Sequence, residues 1–268
     1  MEDMTFVVKT LERPYCLERL VRSVLKRYPE AEILIGDDSR RSSRKAMESR
    51  HRGSNVTVYE LPHDCGISYG RNYLVRRVRT PFFVLLDDDF VLDDGSDIER
   101  GLEILRERDL DIVGGFFRNY PTLRPGLGVV PYLARRLLRG VRASNYMGRI
   151  ALCDDELRVE YRTKDIPDFE MTDIVHNFFV ARTEAVRDRC PWDDELKVHE
   201  HTPFFLKAKL AGLRVGFTSE MSVQHRPIRT KEYMRYRDRD YVGVWMQRYG
   251  VRRFVYTMDG GPEVVREI

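Results

Sequence analysis

Along the first 117 residues, short apolar runs alternate with amphipathic stretches. TFVVKT (5–10), AEILIGDD (31–38), NVTVYEL (55–61), PFFVLLD (81–87) and DIVGGFF (111–117) read as strands. Between them, residues 14–26 carry apolar positions at helical spacing, 40–51 read as a polar, basic helix, and 68–78 and 96–108 as further helices, with Ser68 as an N-cap. Strands alternating with helices predict βαβ units, hence an α/β fold with a mostly parallel, doubly wound central sheet. The second half is less regular. Gly and Pro punctuate residues 121–131, and YLARRLLRGVR, from Tyr132 to Arg142, alternates apolar and basic residues at helical spacing. That stretch reads as a solvated amphipathic segment or as a peripheral contact with anionic lipid or an acidic acceptor. Short strands are expected over 145–152, 157–161, 173–181 and 214–218, a helix over 202–211, and helix again after Lys231. No linker composition divides the chain, so 1–268 reads as one unit, about 1–117 forming a nucleotide-binding half and 118–268 an acceptor half.

Composition narrows the classes. Hydrophobic residues make up 42% of the chain and aromatic residues 11%, enough for a buried core. Lys and Arg number 46 against 43 Asp and Glu, and a net charge of +3 argues against a dedicated nucleic-acid binder. No apolar run approaches the roughly 20 residues that span a bilayer. The first residues, MEDM, run into a strand rather than a signal peptide. Cys16, Cys65, Cys153 and Cys190 lack metal-ligand spacing and read as reduced thiols of a cytoplasmic protein.

Candidate chemistry begins where FFVLL runs directly into Asp87, Asp88 and Asp89. Neighbouring carboxylates repel, more so as water is excluded. A capping turn needs one acid, not three, so the triple Asp points to a divalent cation that also carries phosphates. Asp37 and Asp38 end the second strand. Both clusters therefore fall at the carboxyl edge of the sheet, where open α/β folds bind ligands. An acid at Asp38 can accept a hydrogen bond from a ribose hydroxyl or a base N–H. In DCGISYGRN (64–72), Gly66 and Gly70 permit close backbone approach. Arg71 faces either a bound anion or a carboxylate such as Asp87 or Asp89.

The order strand, Asp-Asp-Ser, Gly-x-Ser-x-x-Arg-Asn, then Leu-Leu-Asp-Asp-Asp resembles the inverting GT-A glycosyltransferases. It is similar in particular to the group that includes bacterial polysaccharide synthases and β1,4-N-acetylgalactosaminyltransferases. The resemblance implies a Rossmann-like sheet with helices on both faces and a UDP-sugar donor, UDP-GalNAc or UDP-GlcNAc ahead of UDP-Gal. It implies that Asp89 ligates Mn²⁺ or Mg²⁺, that Asp87 touches the ribose or the metal, and that Asp88 lies near the donor sugar. Asp38, Thr10 and Arg13 would line the nucleotide cleft, with Arg71 on the pyrophosphate. His225, at the end of MSVQH, would complete the metal site and tilt it toward Mn²⁺. His176 and Asn177 are candidates for the donor pocket. Where such enzymes carry Glu-Asp before the acceptor-side helix, this chain has Glu200-His201. The base for the acceptor hydroxyl is then Glu200, with His201 or His199 as the alternative. Two competing readings are an inactive sugar-nucleotide or glycan-binding module and a sugar-1-phosphate nucleotidylyltransferase. The second should carry a Gly-rich loop after the first strand, and VVKTLERPYC has no glycine. The acceptor and the oligomeric state leave no mark in the sequence.

Overall fold

In the computed structural model, which describes residues 2–122 and 140–268, the chain opens with β1 (Met4–Thr10), α1 (Pro14–Arg27), β2 (Glu32–Asp37) and α2 (Arg44–Arg50). β3 (Val56–Glu60), α3 (Ile67–Val75), β4 (Phe82–Asp87), β5 (Phe90–Val91), α4 (Ile98–Glu107) and β6 (Ile112–Asn119) follow. The strands are apolar on both faces because both faces are covered. Val7, Leu34, Phe83 and Leu85 enter one core cluster, while their neighbours Phe6, Ile33, Ile35, Val84 and Leu86 enter another. The two-residue period of a strand sends alternate side chains to opposite sides.

The second half adds β7 (Arg142–Ser144), β8 (Met147–Cys153), β9 (Glu156–Arg162), β10 (Phe169–Thr172) and β11 (Phe179–Arg182). A π-helical turn (Ala185–Arg189), α5 (His201–Leu210), β12 (Val215–His225), α6 (Lys231–Arg237), α7 (Val242–Arg248), β13 (Arg253–Met258) and β14 (Val264–Glu267) complete the chain. The central sheet runs β10-β12-β6-β11-β4-β1-β2-β3, with β5 on β12 and β7 on β6. β1 to β4 pair in parallel, as do β6 and β12, whereas β11 lies antiparallel between β4 and β6. A second sheet, β14-β13-β9-β8, packs Ile150, Leu157, Val159 and Phe254 into the first of those two core clusters.

Four expectations change. Residues 173–181 do not form one strand: only β11 pairs in the sheet, while Ile174 bridges to Gly148 and the Phe178 carbonyl accepts from Gly115 N–H. The strand expected over 214–218 runs on to His225 through a register shift between Phe217 and Ser222. The stretch after Lys231 is helical only through α7 and then becomes β13, which pairs in parallel with β9. Ser68 does not cap α3. The cap position is Gly66, at φ +98°, and Ser68 Oγ is buried without a hydrogen-bond partner among the described residues. The amphipathic stretch 132–142 lies outside the described residues apart from its last three, of which Arg142 opens β7. No helix among the described residues is long and apolar enough to cross a membrane. All four cysteines are free thiols.

Gly66 tests the turn before α3. A Cβ there would meet the Lys197 backbone Cα at 2.8 Å, and the positive φ disfavours any L side chain. Gly66→Ala is expected to lower stability by about 1–3 kcal/mol, read as a shifted urea midpoint with unchanged m-value.

Candidate active site

β1, β2 and β4 end at one edge of the sheet, β2 in Asp37 and β4 in Asp87, with Asp38, Asp88 and Asp89 just beyond. Asp38, Asp87, Asp88 and Asp89 each meet a basic side chain. The turn after β1 passes through Glu12 in the left-handed region, at φ +53°, and places Arg13 immediately before Pro14 opens α1. Arg13 spans Asp88 and Asp89, with Nη1 2.8 Å from Asp89 Oδ2 and Nε 3.2 Å from Asp88 Oδ2. Thr10 Oγ1 donates to the same Asp88 oxygen at 2.6 Å. The Tyr233 ring of α6 lies over the Arg13 guanidinium at 4.0 Å. Burial drives the Asp88 carboxyl upward, with Arg13 opposing. Burial would raise Asp89 too, but Arg13 and His225 outweigh it and hold it well below the usual carboxylate range.

Arg71 makes the second clamp. Its side chain is 1% exposed, with Nη2 2.9 Å from Asp87 Oδ1 and Nη1 2.8 Å from Glu200 Oε1. The carboxylates of β4 and of the residue preceding α5 thus share one guanidinium across the floor of a cleft. Burial leaves Asp87 raised despite Arg71. For Glu200, burial is outweighed by Arg71, Arg237 and His201, and its carboxyl is lowered.

The three aspartates therefore tolerate one another through two arginines, not through a cation alone. Asp88 has its oxygens engaged by Thr10 and Arg13 and is 1% exposed, so it anchors the Arg13 turn although it reaches the cleft wall. Asp37 points away from the cleft: its oxygens accept from Ser39 N–H at 3.0 Å and from Ser43 N–H and Oγ at 2.7 and 2.6 Å. That corrects its assignment to the nucleotide. Asp38 is fully buried, paired with Lys9 and accepting from Gly66 N–H at 3.3 Å. In this arrangement it holds the loop before α3.

At the far end of the acidic strand, His225 Nε2 lies 3.6 Å from Asp89 Oδ2. Its Nδ1 is 2.7 Å from Asn119 Oδ1. An amide oxygen only accepts, so Nδ1 donates to it and Nε2 is turned toward Asp89. This orienting bond is the kind that fixes an imidazole ligand. No group of three or more His, Cys, Asp or Glu side chains converges as a closed metal cage among the described residues. One carboxylate and one imidazole fit a divalent cation whose other positions are filled by ligand oxygens.

Opposite the acidic edge stands His201, the first residue of α5. Its Nδ1 is 3.0 Å from Asn177 Oδ1, so again Nδ1 carries the proton. Nε2 is buried with no partner among the described residues. Burial pushes the imidazole down to about 4, Glu200 pulling the other way, so it is neutral at pH 7. His176 lies beside it against Phe117, ring centroids 3.8 Å apart, and burial lowers it well below the usual range. His199 is half exposed at the rim, at φ +61°.

Lys9, Asp64, Lys197, Tyr233, Tyr236 and Arg237 also line the cleft. The sequence reading missed them. Asp64 sits at φ +54° and pairs with Lys197 at 3.2 Å and Arg239 at 2.9 Å, joining segments distant in the chain. Only its place two residues before Gly66 could have marked it. Arg237 makes no hydrogen bond or ion pair to a described residue, although the Glu200 and Asp87 charges act on it.

The chain is similar to known glycosyltransferases. The chain is 32% identical over 223 residues to human β-1,4 N-acetylgalactosaminyltransferase 1, covering 83% of this chain and 38% of that protein. To mouse β-1,4 N-acetylgalactosaminyltransferase 2 it is 28% identical, covering 83% of this chain and 39% of the relative. The chain thus spans under two fifths of the length of these relatives. Among solved structures, S. aureus TarS 1-349 superposes with a TM-score of 0.56 at 17% identity, covering 84% of this chain and 60% of that one. TarS 1-349 in complex with UDP-GlcNAc gives the same TM-score at 16% identity, covering 85% and 58%. The likeness to TarS establishes the GT-A glycosyltransferase fold. The family description "Glycosyl transferase family 2" matches residues 5–187, well over half the sequence, and the chain belongs to that family.

Proposed function

We propose that the chain transfers a sugar, GalNAc or GlcNAc, from a UDP-sugar to a hydroxyl of a glycan, with inversion at the anomeric carbon. One observation carries the reading: Asp87, Asp88, Glu200 and His201 line one cleft, bridged by Arg71 between Asp87 and Glu200, with the Asp89–His225 pair directly following Asp88 and with His201 Nε2 without a hydrogen-bond partner among the described residues. Support for the donor comes from the names of the N-acetylgalactosaminyltransferase relatives and from the UDP-GlcNAc complex of TarS.

Asp89 and His225 would hold a divalent cation, Mn²⁺ by the nitrogen ligand, with Asp87 beside it. Bound there, such a cation neutralises charge developing on the departing diphosphate. The chain's own residues do the rest. Arg71 and Arg237 set positive charge along the cleft floor. His201 Nε2 accepts the proton of the acceptor hydroxyl as its oxygen bonds to the anomeric carbon and the bond to the diphosphate oxygen breaks. Attack from the face opposite the leaving group turns an α-linked donor into a β-linked product. Glu200 is the less suited base, because Arg71 already holds its carboxylate and lowers its proton affinity. Its charge instead favours the imidazolium that forms next to it.

A thermal-shift titration with UDP tests the donor site. With Mn²⁺, UDP at 100 times its Kd is expected to add about 2.7 kcal/mol of apparent stability. Asp89→Asn and His225→Ala should each remove the metal-dependent part. A UDP shift that is the same in EDTA, or that survives both substitutions, contradicts the proposed metal site. UDP binding without any sugar transfer would favour a binding module.

A further inference from the structure

A second cavity, of about 620 Å³, opens off the donor cleft through His199, His201 and Arg237, which line both. Its far wall is the second sheet. Tyr161 (β9) packs at a tilt against Tyr146, ring centroids 4.5 Å apart, and meets Tyr256 (β13) edge-on at 6.1 Å. The Tyr161 hydroxyl lies 2.9 Å from Thr202 Oγ1, which ties this aromatic wall to the first turn of α5 next to His201. Arg266 (β14) closes the rim, and its side chain makes no hydrogen bond or ion pair to a described residue.

We infer that this cavity is the acceptor subsite and that it takes a pyranoside ring of a glycan. The inference rests on the donor reading above and adds the place and chemistry of the second substrate. Three arguments converge. A hydroxyl can reach both the donor's anomeric carbon and His201 Nε2 only from the His201 side of the cleft, and this cavity opens there. Aromatic faces set at different angles suit the C–H faces of a sugar ring, whose hydroxyls then point outward. Arg266 and Arg237, both without ion-pair partners, supply the donors for those hydroxyls. The second sheet gains a purpose in this scheme, since none of its strands lines the donor cleft.

The test measures UDP affinity by calorimetry with Mn²⁺, and UDP release from UDP-GalNAc and UDP-GlcNAc with and without acceptor. The probes are methyl β-galactoside, methyl β-glucoside and methyl β-N-acetylglucosaminide at millimolar concentration. At least one glycoside is expected to raise UDP release above the rate with water alone. Tyr256→Ala should then raise the KM for that glycoside about tenfold, and Arg266→Ala several-fold, with the Kd for UDP unchanged within twofold. Either variant may be checked for folding by its unchanged UDP affinity. The proposal is overturned if no glycoside stimulates release while UDP binds, or if Tyr256→Ala leaves the glycoside KM unchanged. Failure of the wild-type chain to bind UDP would instead sink the donor reading, and the acceptor cavity with it.

Discussion

His201→Ala is expected to lower kcat for transfer by about 10²–10⁴-fold while leaving UDP affinity within twofold, because general-base catalysis contributes on that scale. The reason is geometric. Asn177 holds the ring through Nδ1, and Nε2 is a buried acceptor with no donor among the described residues. Buried polar atoms are nearly always satisfied, and the exceptions ask for a reason. The pH profile separates this role from a structural one. A base must be deprotonated to act, and burial pushes His201 down to about 4, so activity should be retained through pH 6 and lost only as pH falls toward that value. His201→Asp should recover part of the rate, since a carboxylate can take the same proton. Turnover of His201→Ala within threefold of wild type would remove the imidazole from the mechanism. A much larger loss in Glu200→Gln would then move the role to its neighbour.

Arg71→Ala is expected to cost about 3–5 kcal/mol of stability at pH 7, the range for leaving buried charges without their partner. Arg71 is fully buried, and no other cation lies within 4 Å of Asp87 or Glu200 among the described residues. The cost should shrink on acidification. Glu200 has a folded-state pKa below its unfolded value, so its pairing stabilises the fold above the ordinary carboxylate range and is lost as pH falls through the depressed value. Asp87 is raised, so in the variant it takes up a proton sooner and sheds its repulsion at milder acidity. Urea unfolding at pH 7 and pH 4 reads both effects. A variant within 1 kcal/mol of wild type at pH 7 would mean that solvent screens the bridge. Arg71→Lys should recover little, because an ammonium cannot serve both carboxylates in the guanidinium's fork geometry.

These effects separate what is local from what is not. Residues 5–117 fixed the order of strands and helices, and with it the edge where Asp87 to Asp89 and Asp38 emerge, since apolar runs and turns act over a few residues. Their partners were not local. The Arg71–Glu200 contact joins positions 129 apart, and Arg13 meets Asp88 from 75 away. No spacing rule encodes such a pair, because it depends on which loops the completed sheet brings to one edge. Asp37 shows the limit most plainly. It adjoins Asp38 in sequence, yet the strand's two-residue period turns it to Ser39 and Ser43 instead of the cleft.

The sequence alone determined an α/β sheet with a cluster of carboxylates at its carboxyl edge. Through the family resemblance it also marked His225 for a metal and Glu200, ahead of His201 or His199, for the base. Only the tertiary structure decided which nitrogen of His201 and of His225 meets an asparagine, Asn177 or Asn119, and that the chain's end returns as β13 and β14 to wall a second cavity. A side chain's protonation and direction depend on neighbours that folding supplies from anywhere in the chain, while the run that makes a strand carries its instructions within itself.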